Sequence, residues 1–319
     1  MATAQSSVDA QAPGAIPEES AEALAPVERP GTLKRIRRHP SVLIGGFVFF
    51  LIAMIGVLAP LITSIDPSDI SPANRNKTPG YEASIRDDDG NKIKVTAHMG
   101  TDSLGRDVFS RVIHGARVSM VVGVAVALIS VAVGLLIGLV AGYFRWLDAI
   151  VMRIMDGLMA IPAILLAIVL VSISGASLLT VVVAIVIPEV PRVVRLVRSI
   201  VLSIREEPYV EAAISVGTST VNILWRHILP NTLAPLLVQG TFICGSAILI
   251  EAILSFLGVG IPPETPTWGN IMAEGRQVFQ LFPHNILFPG IFLTLTVLAI
   301  NMLGDGLRDA IDPRLRGEG

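Results

Sequence analysis

The stretch EAAISVGTSTVNILWRHILP, residues 211–230, decides how the chain is read. It lies between two long apolar runs and is too polar to span a membrane itself. Just upstream, Pro208 suits a first helical turn, where its missing N–H would be unpaired anyway. Glu206, Glu207 and Glu211 crowd that start, where the helix dipole favours negative charge. Ala212 and Ala213 are strong helix formers with almost no side-chain bulk. Gly217 predicts a stop, because glycine reaches positive φ without steric cost. Thr218 or Ser219 then caps a second helix. Val221, Leu224, Trp225 and Ile228 give it an apolar stripe at helical spacing, and Pro230 is expected to end it. The expected unit is a short helix, a glycine bend and a second short amphipathic helix held at a membrane surface. Residue types alone also allow a plain connector between two spans.

Composition sets the solvent. The chain has 319 residues, 52% of them hydrophobic, and a mean hydropathy of +0.68. Charged residues make up 16%, against roughly 25% in soluble domains. A net charge of −2 offers nothing to nucleic acid. Cys244, alone in an apolar run, excludes a disulfide within the chain and reads as a small hydrophobe. The histidines, His39, His98, His114, His227 and His284, are scattered without metal-ligand spacing.

Residues 1–31 are rich in Ala, Pro, Glu, Ser and Gln and bury too little to offset ordering, so a disordered tail is expected. Lys34, Arg35, Arg37 and Arg38 follow, and then an apolar run from Val42 to Ile62. That run is too long for a signal peptide. The basic cluster before it places the N-terminus in the cytoplasm. A polar stretch at 65–100 carries Pro67, Pro72, Pro79 and an Asp87–Gly90 turn, with alternation at Lys92–Thr96 that fits a small hairpin. Five further runs, 118–141, 150–173, 178–196, 233–257 and 286–303, are each about long enough for a ~30 Å hydrocarbon core. Unpaired backbone is excluded from lipid, so these are helices. The prediction is an all-α membrane protein of six transmembrane helices with both ends inside. Arg192, Arg195, Arg198, Arg205 and Arg226 around the loop after the fourth run agree with that orientation.

Several charged or interrupted positions stand out. Arg106, Arg111 and Arg117 recur at near-helical spacing, with Asp102 and Asp107 as partners and Thr101 or Asp102 as a cap. They suit an amphipathic lead-in helix along the membrane face, its Arg stems snorkelling. Charge within a span is costly and usually marks function. Glu251 in the fifth run and Glu189 in the fourth are therefore candidates for a translocation pathway or for helix packing. Asp156 and Arg153, three apart in the third run, are expected to pair. Pro162, Pro188 and Pro191 free backbone carbonyls, which kinks helices or lines a cavity. After Gly258 and Gly260, Trp268 suits an interface depth, and 269–279 fits a short outer helix.

Glu211, Ala212, Ala213, Gly217, Leu229 and Pro230 resemble the EAA loop of ABC-importer permeases; His227 stands where that pattern has Ile. Three further strings resemble the C-type permease subunit of dipeptide, oligopeptide and nickel importers. These are Gly100-Thr101-Asp102 with Leu104-Gly105-Arg106-Asp107; Leu254-Ser255-Phe256-Leu257-Gly258 with Pro262, Pro263, Pro266, Trp268 and Gly269; and Leu303-Gly304-Asp305-Gly306-Leu307-Arg308-Asp309 with Asp312-Pro313-Arg314. The resemblance implies a type I ABC-importer permease fold with cytoplasmic coupling helices in the bacterial inner membrane. It implies a sister permease subunit, two cytoplasmic ATPase subunits bearing ATP and Mg, and an extracytoplasmic solute-binding protein. The corresponding organisation is a cytoplasmic tail (1–40), a first transmembrane helix (41–64), an outer loop with lead-in (65–117), a permease core (118–307) containing a coupling segment (205–230), and a cytoplasmic tail (308–319).

ATP hydrolysis needs a glycine-rich loop ending in Gly-Lys-Ser/Thr. The four lysines, Lys34, Lys77, Lys92 and Lys94, none preceded by glycine, exclude that loop here. No cofactor is expected in this chain, and membrane lipid is its surroundings. The expected solutes are di- or oligopeptides, with nickel chelates or another small solute as the alternative. An ion-driven carrier would need several midplane charges and broken helices in repeated halves. A non-transporting membrane anchor is the third reading.

Overall fold

The computed structural model describes residues 35–86 and 92–311. The expected disordered tail at 1–31, the Asp87–Gly90 turn and the Asp312-Pro313-Arg314 string lie outside them. In chain order the helices are α1 (Pro40–Val57) and α2 (Ala59–Ile62). A hairpin follows, β1 (Tyr81–Arg86) against β2 (Lys92–Ala97), antiparallel with Tyr81 opposite Ala97. Then come α3 (Val108–Tyr143), α4 (Arg145–Ala160), α5 (Ala163–Ser174), α6 (Leu178–Arg205) and α7 (Pro208–Ser215). The last three are α8 (Thr220–Phe256), α9 (Trp268–Gly275) and α10 (His284–Ile311).

Among the described residues four helices, α1, α3, α8 and α10, are long and apolar enough to cross a bilayer. The pair α4–α5 makes a fifth such element, bent by 88°. The bend falls at Ile161-Pro162, where the residue before proline is forced into extended backbone. α6 is not apolar enough by the same measure, because any 18-residue stretch of it contains Glu189, Arg192 and Arg195. Pro188 and Pro191 do not interrupt it.

α3 corrects one expectation. At about 1.5 Å per residue it is ~54 Å long, far more than a bilayer core needs. The lead-in before Val118 is thus not a separate helix lying flat. Asp107, rather than Thr101 or Asp102, caps it, its carboxylate accepting from the Ser110 N–H at 2.7 Å. Nothing between Val108 and Val118 breaks the winding, so lead-in and span are one rod.

The core forms where glycines admit neighbours. Gly134, Gly138 and Gly142 of α3 face Val193, Val197 and Val201 of α6, three pairs in step at four-residue intervals. A Cβ on Gly138 would stand 2.7 Å from the Val197 Cβ. α1 and α10 approach equally closely: a Cβ on Gly45 would meet the Ala299 carbonyl oxygen at 2.6 Å. Large apolar side chains such as Leu43, Phe47, Leu128 and Leu136 point outward, as expected where the surroundings are hydrocarbon or another span.

The bundle has two distinct ends. At one, Trp268 of α9 donates its indole N–H to the Val112 carbonyl near the start of α3, and Gly56 of α1 packs on the Arg117 backbone. At the other, Arg205 at the end of α6 donates to the Tyr143 carbonyl at the end of α3, and α7 follows at once. His39, before α1, lies 3.9 Å from Asp309 near the end of α10. The segment 211–230 therefore shares its end of the bundle with both ends of the described chain, opposite α9 and the hairpin.

Candidate functional site

The segment that opened the sequence reading forms two helical arms at an angle. Glu207 is the N-cap residue of α7 and Pro208 its first turn. Gly217, at φ +84°, closes it. The Thr218 N–H reaches back to Ala213 O and the Gly217 N–H to Ile214 O, both near 3.0 Å. These two bonds make a Schellman cap, which requires the left-handed residue in the middle. Ser219 then stands at the N-cap of α8, satisfying the new helix through its backbone carbonyl, not its hydroxyl.

The second arm departs from expectation. Pro230 does not end it; α8 runs on through Pro230 to Phe256. The reason is a π-wound stretch, Ile223–Ile228, just before the proline. Proline has no N–H to give the preceding turn, and a wider turn shifts the hydrogen-bond register to accommodate that. The Asn231 side chain donates to the His227 carbonyl at 2.7 Å, a further tie across the same turn. The wider winding also redistributes the stripe. Ile223 and Ile228 are buried, while Val221 and Trp225 are each 73% exposed.

Val210, Ile223 and Ile228 anchor the arms to the bundle. The rings of Tyr209 and His227 lie 6.0 Å apart and join one arm to the other, so His227 has a structural use where the resembling pattern has Ile. What remains outside is an apolar face of Tyr209, Ile214, Val216, Val221 and Trp225, with Glu211 and Ala212 exposed beside it. Leu229 is half-buried and Pro230 exposed. A Cβ on Gly217 would meet nothing within 4 Å. Exposed apolar residues gathered on a segment outside the spans mark an interaction surface.

Glu251 and Glu189 are both buried. Glu251 accepts from Ser255 Oγ at 2.8 Å and Ser119 Oγ at 3.4 Å, joining α8 to α3. That geometry ties the two helices together. Glu189 lies 3.3 Å from Arg192. Asp156 does not take Arg153; it pairs with Arg195 of α6 at 2.6 Å, and Asp148 pairs with Arg198. Both bonds cross from α4 to α6, because α4 turns its acidic side chains toward its neighbour.

The opposite end holds what the charge spacing concealed. Arg106 and Arg111 are buried, not solvated, and share Asp102 and Glu274. Asp102 accepts from Arg106 Nε at 2.8 Å and Arg111 Nη1 at 2.7 Å, and Glu274 of α9 binds both guanidiniums. Asp107 stays out of this cluster as a cap. Burial pushes its carboxyl up to about 6, so folding favours its protonated form, and stability is lost as pH rises from the ordinary carboxylate range through 6. Trp268 is fully buried, correcting the interfacial reading. Removing one member of a buried ion cluster leaves an uncompensated charge and costs about 3–5 kcal/mol. Arg111→Met should therefore lower the thermal unfolding midpoint of the purified chain, with early loss of the Trp268 emission of the native state. An unchanged midpoint would show the cluster to be loosely solvated.

Bundle and projecting arms together define a helical, multi-pass membrane protein with an interaction surface at one end. Residues 134–317, more than half the chain, match the family described as binding-protein-dependent transport system inner membrane component. Residues 31–79 match the N-terminal TM domain of oligopeptide transport permease C. A probable peptide ABC transporter permease protein of Sinorhizobium fredii is 49% identical over 89% of this chain and 92% of its own length. The dipeptide transport system permease protein DppC of Alkalihalophilus pseudofirmus is 40% identical over 94% of each. The glutathione transport system permease protein GsiD of Pectobacterium atrosepticum is 41% identical over 88% of this chain and 89% of its own. An inward-facing structure of the MetNI methionine ABC transporter aligns at TM-score 0.46 and 20% identity, over 60% of this chain and 94% of that one. The chain belongs to the inner-membrane permease family of binding-protein-dependent ABC transporters. It is a transport subunit, not an enzyme.

Proposed function

We propose that this chain is one permease of an ATP-driven importer that moves di- or oligopeptides across the inner membrane by alternating access. The observation that carries the reading is the exposed apolar face on α7 and the start of α8, at the same bundle end as both ends of the described chain. In this reading α6 counts as the sixth span, its charges turned away from lipid, and both termini are cytoplasmic. The arms fit a groove on one of two ATPase subunits, which bind ATP and Mg. Glu211, Ala212, Ala213, Gly217, Leu229 and Pro230 belong to that contact. A sister permease completes the pathway, and a solute-binding protein delivers from the outer side, where the hairpin and α9 stand. Closure of the ATPases moves α7, and α6 and α8 tilt with it, which couples two sites through two global states.

The relatives named for peptides, dipeptides and glutathione support a peptide solute over a nickel chelate. Among the described residues the buried charges within the spanning helices away from their outer ends are few, Glu189 and Glu251, which gives little support to an ion-driven carrier. Co-reconstitution with the neighbouring permease, ATPases and binding protein tests the proposal. Labelled dipeptide should enter vesicles only with ATP and binding protein present. Uptake that persists without the ATPases would overturn it.

A further inference from the structure

α6 carries two charged side chains that the described residues cover only in part. The side chains of Arg192 and Arg195 are 51% and 45% exposed. With a rise of about 1.5 Å per residue, they stand ~21 Å and ~26 Å from the outer end of α6 at Leu178. Both depths fall inside a ~30 Å hydrocarbon core. Charge facing lipid there is heavily penalised, and such residues face protein or water. Asp156, the partner of Arg195, is itself 54% exposed. An ion pair half open on both members is a wet one. Four residues after Arg192, on the same face of α6, Leu196 lines a cavity of about 460 Å³ between α6, α8 and α10. Gln239 and Arg308 also line it. The walls of this space are mainly apolar, with Gln239 and Arg308 as their polar members, and the charged face of α6 begins one helical turn away at Arg192.

Each guanidinium has five N–H donors in a planar fork. Arg192 uses one nitrogen on Glu189, and Arg195 one on Asp156. The remaining donors match a carboxylate, which takes two parallel bonds. We infer that the Arg192–Arg195 face of α6 lines a water-filled path and holds the terminal carboxylate of the passing peptide. This rests on the importer reading above. Buried Glu189, at 3.3 Å, positions the Arg192 side chain toward the path.

The chain has one cysteine, buried Cys244, so single-cysteine probes need only a Cys244→Ala parent. That parent must first show ATP-driven dipeptide uptake; if it shows none where the natural chain does, Cys244→Ser serves instead. If the natural chain itself shows none, the importer reading fails by itself. In the assembled, nucleotide-free complex, Arg192→Cys and Arg195→Cys should react with an aqueous anionic methanethiosulfonate. Millimolar dialanine should slow that reaction by about threefold or more, and dialanine amide should not, since it lacks the carboxylate that the fork grips. Arg192→Lys, which keeps the charge but not the fork, should lose part of the uptake, and Arg192→Gln most of it. Cysteines that react only after denaturation would mean a dry interface with the sister permease and overturn the proposal. Equal protection by dialanine and its amide, or full uptake by Arg192→Gln, would overturn it as well.

Discussion

Gly217→Trp is expected to leave the chain folded and inserted while cutting ATP-driven uptake by about tenfold or more, equivalent to about 1.4 kcal/mol of lost coupling. Two facts separate folding from function here. A Cβ at this position meets nothing within 4 Å, so the bundle itself does not resist a larger side chain. The backbone sits at φ +84°, where an ordinary L-residue costs roughly 1–2 kcal/mol, a local strain at an exposed bend. The indole would project at the elbow between the two arms, beside the face formed by Val216, Val221 and Trp225. A surface shaped for a groove cannot carry an extra ring there. Gly217→Asn is the control, because Asn tolerates the left-handed region with a small side chain; it should transport nearly as well as the natural chain. Glu211→Lys should act in the same direction, placing a like charge on the positive end of the α7 dipole. Insertion is read from membrane fractions and coupling from binding-protein-stimulated ATP hydrolysis. Normal uptake by Gly217→Trp would remove these arms from the contact.

Gly138→Leu should be the most damaging single change in the spans. Its Cβ alone would stand 2.7 Å from Val197 Cβ and 3.0 Å from the Val194 carbonyl oxygen. Neither can retreat easily, since Gly134–Val193 and Gly142–Val201 hold the same crossing on either side. Overpacking a tight contact costs about 1–3 kcal/mol, and here the added atoms meet backbone as well as side chain. The expected result is a lower unfolding midpoint of the detergent-solubilised chain. Val197→Gly in the same molecule should restore part of it, which a double-mutant cycle reads as a direct coupling between the two positions. If Val197→Gly merely adds its own loss, the α3–α6 crossing is not packed this way. The contact also matters for transmission, because α6 is separated from α7 only by Glu206 and Glu207.

Local rules were legible in the sequence to the extent that they are local. Pro208 opened a helix, Gly217 closed it, and the Lys92–Thr96 alternation became β2. Rules of the same kind failed where a neighbour supplied what the rule assumes missing. Proline at 230 reads as a terminus, but the π-wound stretch just before it carries the helix on. Arg106 and Arg111 looked like a solvated face because their partner Glu274 is more than 160 residues away. Asp156 had an Arg three residues off and took Arg195 across the bundle instead. Trp268 looked like an interfacial anchor, yet its N–H finds the Val112 carbonyl and its ring is buried. In every case but Pro230 the deciding atom lies on a different element, and no spacing within one helix encodes it. The four-residue step of Gly134, Gly138 and Gly142 is visible in the sequence; matched to Val193, Val197 and Val201, it marks the α3–α6 crossing.

The seating of α1 on α10 has a consequence for biogenesis. Gly45 fits against the backbone of Ala299 and Leu303, and Gly306 against Val42, so α1 has its close-fitting mate in a helix synthesised more than 200 residues later. Until α10 emerges, α1 stands in lipid with a glycine notch unfilled. Loss of α10 in a prematurely ended product would leave that notch open, a ready mark for membrane quality control.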